Sequence, residues 1–225
     1  MSYLAERREE EKERRRAEIL QAAEALYAEK GWDAVTLELV ARTARLSRAL
    51  VYVYFRDKGE ILFAIGERAL GLLRDRFVAA AASEQLGLDK LQAIGQAYMT
   101  YANEFPHYFD FCSRFHAHSV AIDPGSHEGG CQTAGDAAIG EVIRAVEVGK
   151  RDGSIRADVG ESVLLATSLW AFTHGVIQLA MAKGDDLARF GLKIPDFSNY
   201  AIGLIRYLAQ SAAAASTGAA TSKER

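Results

Sequence analysis

Four side chains able to grip a polyanion stand close together near the N-terminus: Arg48, Tyr52, Tyr54 and Lys58. A guanidinium forks two N–H donors onto paired acceptors, a phenol donates one hydrogen bond, and an ammonium acts as a point charge. Phosphate oxygens suit all three, and the O6/N7 edge of guanine suits the guanidinium as well. Arg42, Arg45 and Arg56 lie among them against Glu38 and Asp57, with Arg14, Arg15 and Arg16 upstream. Bulk charge does not share this bias. The chain carries −3 overall, and residues 1–60 hold twelve basic and twelve acidic groups. A charge run is more often a solvated face, so charge by itself is a weak signal here.

Near the middle of the chain Tyr98, Tyr101, Phe105, Tyr108, Phe109, Phe111 and Phe115 crowd one stretch. Such density either lines an apolar cavity or forms plain core. Cys112 and His116 stand four apart, as metal ligands on one helix face can. His118 falls on another face, however, and there is no Cys-x-x-Cys pair, so neither a metal site nor a cofactor is expected. No nucleophile–base pairing, phosphate loop or paired-carboxylate motif occurs, which argues against an enzyme. Two cysteines, Cys112 and Cys131, and no secretion signal point to reduced thiols and a cytoplasmic protein. The uncharged run from Ser162 to Ala182 has the length of a membrane span. Its Ser, Thr, His and Gln residues fit better a helix covered on both sides within a soluble assembly.

These groups need a frame, and the composition predicts an all-α one. Apolar residues reach 49%, enough for a core, and there are only three prolines in 225 residues. Ile19, Leu20, Ala23, Leu26 and Tyr27 recur at helical spacing within a helix over 7–30 that Gly31 stops. Thr36 caps a short helix over 37–44, and Ser47 caps another over 48–54. A long helix starts at or beside Asp57 and runs to about 82. Further helices are expected at about 88–105, 106–119, 132–151, 159–183 and 197–214, giving about nine, with loops at Asp123-Pro124-Gly125, Arg151-Asp152-Gly153 and Lys183-Gly184-Asp185. The expected organisation is a unit over 1–60, a larger unit over 61–214 and a disordered Ala/Ser/Thr tail over 215–225. Small residues on 159–183 (Ala166, Ala171, Gly175, Ala180), beside an apolar face on 197–214 (Ile202, Leu204, Ile205, Leu208), suggest a helical dimer interface.

Two short helices joined by a tight turn, the second exposing polar and aromatic groups, make a helix-turn-helix. Val40 and Ala41 would face the core, Ala44 would sit where the helices approach, Leu46 would plug the turn, and Val51 and Phe55 would hold the second helix. Arg48, Ala49, Leu50, Tyr52 and Tyr54 would face outward, on a helix that fits the DNA major groove.

The pattern Thr36-x3-Val40-Ala41-x2-Ala44-x-Leu46-Ser47, followed by Tyr52-x-Tyr54-Phe55-x2-Lys58, resembles the helix-turn-helix signature of the tetracycline-repressor (TetR) family. Ile19-Leu20-x-Ala22-Ala23 and Gly31-Trp32 agree, so the resemblance spans residues 14–62. Beyond it, Gly153-x-Ile155-x2-Asp158 and Trp170-x3-His174-Gly175 are similar to patterns of that family's ligand domain. The resemblance implies an N-terminal DNA-binding domain of three helices and a C-terminal effector-binding and dimerisation domain. It implies a homodimeric regulator, most often a repressor, that leaves a near-palindromic operator when a small apolar or aromatic effector binds. By the same resemblance Thr36, Tyr52, Tyr54 and Lys58 would hold phosphates and Arg48 would read a base or, failing that, a phosphate. Arg45, Ser47, Ala49 and Leu50 complete the expected DNA contacts. Tyr98, Tyr101, Phe105, Phe109, Phe111, Phe115, Trp170 and His174 are the effector candidates. The sequence departs from the family where Arg45 replaces the usual Gly of the turn and where Ala49-Leu50 replaces Gly-Thr. Arg45 is therefore expected in a left-handed backbone conformation. The rival reading is a helical ligand- or metal-binding protein that does not regulate DNA.

Overall fold

The computed structural model describes residues 3–114 and 122–210. Among these all regular elements are helical, with one isolated bridge between Ile155 and Gln210. The helices are α1 (Tyr3–Lys30), α2 (Leu37–Thr43), α3 (Arg48–Tyr54), α4 (Lys58–Ala82), α5 (Gly87–Glu104), α6 (Pro106–Arg114), α7 (His127–Asp152), α8 (Ser162–Ala182), α9 (Gly184–Arg189) and α10 (Ile194–Ala209), with a 3-10 turn over Trp32–Ala34. The all-α expectation holds, with α9 added where a loop was expected. Six residues are too few to show a helical period in the sequence.

Two compact units form. One comprises 1–70 with 105–133, the other 71–104 with 134–225. In the first, α1 buries Ile19, Leu20, Ala23, Leu26 and Tyr27 on one stripe, and Val40, Ala41, Val51 and Phe55 close the same core. Gly31 ends α1 at φ 76°, a left-handed conformation that costs glycine little, and its N–H reaches Tyr27 O at 2.9 Å. Asp57 starts α4 by accepting from Glu60 N at 2.9 Å, and that backbone N–H, with Arg56 beside it, holds the Asp57 carboxyl below its ordinary range. α6 lies on α1 through polar contacts: the Tyr27 phenol donates to Asp110 at 2.8 Å and the Tyr108 phenol to Glu24. α7 starts five residues earlier than the apolar period suggests, at His127, because Ser126 Oγ accepts from Gly129 N at 3.1 Å.

In the second unit, α5 buries Leu88, Leu91, Ile94, Tyr98, Met99 and Tyr101, and α10 buries Ala201, Ile202, Ile205 and Ala209. The Gly153-x-Ile155 segment has a clear physical role here. Gly153 turns at φ 77°, Ile155 is buried, and the two side chains around the glycine cap another helix. Asp152 Oδ2 accepts from Gly87 N at 2.8 Å and Ser154 Oγ from Leu88 N at 3.1 Å, so the first amides of α5 are satisfied from a distant part of the chain.

Candidate nucleic-acid interface

Both short helices open on a hydroxyl cap. Thr36 Oγ1 accepts from Leu39 N at 3.2 Å and Ser47 Oγ from Leu50 N at 3.1 Å. In each case the hydroxyl keeps its own proton to donate outward. The turn between the helices is a Schellman motif: Arg45 N donates to Arg42 O at 3.1 Å and Leu46 N to Ala41 O at 2.9 Å. That motif needs a left-handed residue at its second-to-last position. Arg45 takes it at φ 56°, the positive φ among the described non-glycine residues. Arg45 is exposed, so the strained backbone presents a cation at the turn.

With Val51 and Phe55 buried, the opposite face of α3 is open. Arg48, Ala49, Tyr52 and Val53 are exposed, whereas Leu50 and Tyr54 are half-buried. Val53, 75% exposed, was not among the expected contacts. The signal for it was present, since a residue two positions from a buried one lies about 200° round a helix.

Arg48 and Tyr52 form one unit. An Arg48 Nη donates to the Tyr52 phenol oxygen at 3.2 Å, and the guanidinium lies 5.6 Å from the ring centroid. The phenol, as acceptor, raises the Arg48 pKa further above its ordinary value and still has its own proton to give to a phosphate. Lys58 is half-buried and already committed in part: Nζ donates to Trp32 O at 2.7 Å and stands 4.9 Å over the indole. An ammonium has three donors, so two remain for an anion.

Residues 19–65 match the sequence profile of the bacterial regulatory proteins of the TetR family. The matched segment contains the helix-turn-helix, which is thus similar to that of the TetR family. The chain is similar to the HTH-type transcriptional regulator HbdR of Aromatoleum sp. (strain CIB), 45% identical over 51 residues. That match covers 23% of this chain and 22% of HbdR, so the chain spans less than a quarter of that relative's length. A regulatory protein of the TetR family from Rhodococcus RHA1 shares the fold at a TM-score of 0.68, with 17% identity over 88% of this chain and 98% of that one. The regulator FadR from Bacillus subtilis, solved in complex with stearoyl-CoA, shares it at 0.65, with 13% identity over 84% of this chain and 96% of that one.

The effector candidates of the chain are divided. Tyr98 and Trp170 line a cavity of about 30 Å³ in the second unit, with Phe77, Leu91, Leu169 and Ile205. His174 joins them through its Nδ1, 2.7 Å from the Tyr98 phenol oxygen, and burial holds its pKa below the ordinary value. Tyr101 is fully buried in the same unit but does not line that cavity. Phe105, Phe109 and Phe111 belong to the other unit: Phe105 stacks on Tyr108, with ring centroids 5.5 Å apart, and Phe109 and Phe111 are buried core. Phe115, His116 and His118 lie outside the described residues. The aliphatic lining carried no chemical signal, since Leu and Ile at helical spacing look like any core.

α8 is long and apolar enough to cross a membrane by length and composition, and only 28% of its most apolar window is buried. Ala166, Leu169, Thr173, Val176 and Ile177 face inward. Leu164, Ser168, Ala171, Gly175 and Gln178 form a stripe on the other side. On α10, Ile202 and Ile205 turn inward, and Tyr200, Tyr207 and Leu208 remain exposed.

Proposed function

We propose that the chain is a ligand-responsive transcription regulator, most simply a repressor, that binds a near-palindromic operator as a homodimer. The observation that carries this reading is the exposed α3 face. Arg48 is held by Tyr52 at the helix start, where side chains reach base edges, and the capping hydroxyls of α2 and α3 can donate to phosphates. Thr36, Ser47, Tyr52, Tyr54, Arg45 and Lys58 would fix the register on the backbone. Arg48, with Ala49, Leu50 and Val53, would read bases, the apolar ones through thymine methyls.

A second copy is the natural cover for α8 and α10. A stripe of small residues lets two helices approach closely, and a large exposed apolar surface rarely persists on a monomer. The effector fits the Tyr98–Trp170 cavity by chemistry: largely apolar walls, with a polar edge at the Tyr98 phenol that His174 holds. At about 30 Å³ that cavity is far below the ~300–1,000 Å³ of ordinary ligand sites, so a ligand must favour a more open state. Such a preference is what a switch requires. FadR, which shares the fold, holds stearoyl-CoA, a ligand with a long apolar acyl chain.

Selection of bound duplexes from a random pool tests the core of the reading. The expected result is a two-fold symmetric motif whose preference at one position per half-site disappears in Arg48→Ala. Binding that is neither sequence-selective nor salt-sensitive would overturn it in favour of a ligand-binding protein without a role on DNA. For the dimer, Leu164→Glu with Ala171→Glu should sediment as a folded monomer at low micromolar concentration.

A further inference from the structure

The first three turns of α1 have no core to serve. The buried stripe starts at Ile19, and from Ala5 to Arg14 every residue is exposed. This is a rod of roughly 15 Å. An unpacked helix of this length is marginal in water without side-chain pairing. The pairing is present: Lys12 bonds Glu9 at 3.3 Å, Arg15 bonds Glu11 at 2.9 Å and Glu18 at 2.9 Å, and Arg14 bonds Glu11. These pairs hold the helix and neutralise Lys12, Arg14 and Arg15. Arg7 and Arg8 differ. Among the described residues neither has an ion pair, and both stand at the far end of the rod.

The rod does not point to an arbitrary place. Arg7, Arg8, Lys12 and Arg14 wall a groove whose other wall is Tyr54, the last residue of α3, with Glu10 and Glu11 also lining it. Glu11 is engaged by Arg14 and Arg15, and Glu10 is the acid that opposes an anion there.

We infer that the N-terminal extension of α1 is a second DNA-contacting element, which sets Arg7 and Arg8 on phosphates flanking the half-site that α3 occupies. It rests on the DNA-binding reading above. Tyr54 reaches the backbone at the edge of the half-site, and the extension continues from there along the duplex. The ion pairs keep the rod helical in free protein, so little ordering is needed on binding. The contacts read no sequence, and they should make affinity depend on DNA beyond the half-sites.

The test uses the full-length protein and the selected duplex in two lengths, ending at the half-sites or extended by about one helical turn on each side. Wild type should bind the longer duplex more tightly and with a steeper salt dependence. Arg7→Gln with Arg8→Gln should abolish that difference. Four phosphate contacts per dimer correspond to a slope change of about 3.6, which makes the wild-type advantage fall roughly 100-fold between 50 and 200 mM salt. Glu10→Gln should strengthen binding to the longer duplex only. Unchanged helix content by circular dichroism confirms that the rod itself survives the substitutions. If the double variant keeps the wild-type slope on the longer duplex, the inference fails and the DNA-binding reading stands. If wild type selects no duplex, both fail.

Discussion

Arg45 offers a direct measurement of strain kept at a functional turn. It occupies the left-handed position of the α2 Schellman motif at φ 56°, with its own N–H and that of Leu46 closing the motif. An L-residue with a Cβ is penalised by about 1–2 kcal/mol there, of which glycine's greater unfolded-state freedom cancels about 0.5–1. Arg45→Gly should therefore stabilise the protein by about 0.5–1 kcal/mol, or roughly 1–4 °C in a chain of this size. Arg45→Ala should not, because it keeps the strain. On DNA the order changes. Both variants remove the same exposed cation, so both should bind operator and random duplex more weakly alike, with the salt slope falling by about 0.9 for each phosphate left unpaired. Thermal melts followed by circular dichroism, with anisotropy titrations at several salt concentrations, read both effects. If Arg45→Gly melts no higher than Arg45→Ala, the turn is not strained. If neither variant changes the salt slope, Arg45 does not touch the backbone of DNA, and some other requirement keeps a cation at this turn.

Lys58→Met should destabilise the protein by about 1 kcal/mol by removing the 2.7 Å bond to Trp32 O and the cation over the indole, which urea denaturation would measure. It should also weaken all duplexes equally, so unchanged stability would mean that the lysine serves DNA alone. Gly66→Ala places a Cβ 2.0 Å from Phe111 Cζ and should cost about 1–3 kcal/mol, partly recovered by Phe111→Leu in the same chain. A melt of the single variant that matches wild type would show that the ring moves aside freely. Glu24 is held below the usual carboxylate range by His107, with Nε2 3.9 Å away as an electrostatic rather than hydrogen-bonded neighbour, and by the Tyr108 phenol and Arg68. A depressed carboxyl stabilises the fold above its ordinary value of 4.5 and loses that contribution as pH falls through the lower folded value. Glu24→Gln should thus lower the urea midpoint at pH 7 and flatten its decline below about pH 4.5, whereas parallel curves for the two proteins would refute the coupling.

The helix-turn-helix was legible in the chain because its determinants are local. Caps, a stripe at helical spacing and a turn all lie within one stretch of residues, and each acts on neighbours a few positions away. Even the departure at Arg45 could be read, since the motif demands a left-handed residue whatever occupies the position. The outward set on α3 was read less well. Leu50 and Tyr54 are half-buried and Val53 is open, because exposure depends on which elements pack beside the helix as well as on its own period. The aromatic stretch shows the limit. Tyr98 and Phe109 are near neighbours in sequence, yet the junction at Phe105 sends Tyr98 to one core and Phe109 to another. Composition cannot reveal that division, since an aromatic ring buries equally well in either place. The caps on α5 were beyond sequence reading for a related reason. Asp152 and Ser154 meet the amides of Gly87 and Leu88 from 65 and 66 residues away, and a hydrogen bond carries no trace in the chain of the distance it spans. Local periodicity and capping chemistry determined the helices and the DNA-binding motif, whereas long-range packing alone decided which side chains face one another, and so where the cavity and the open helix faces lie.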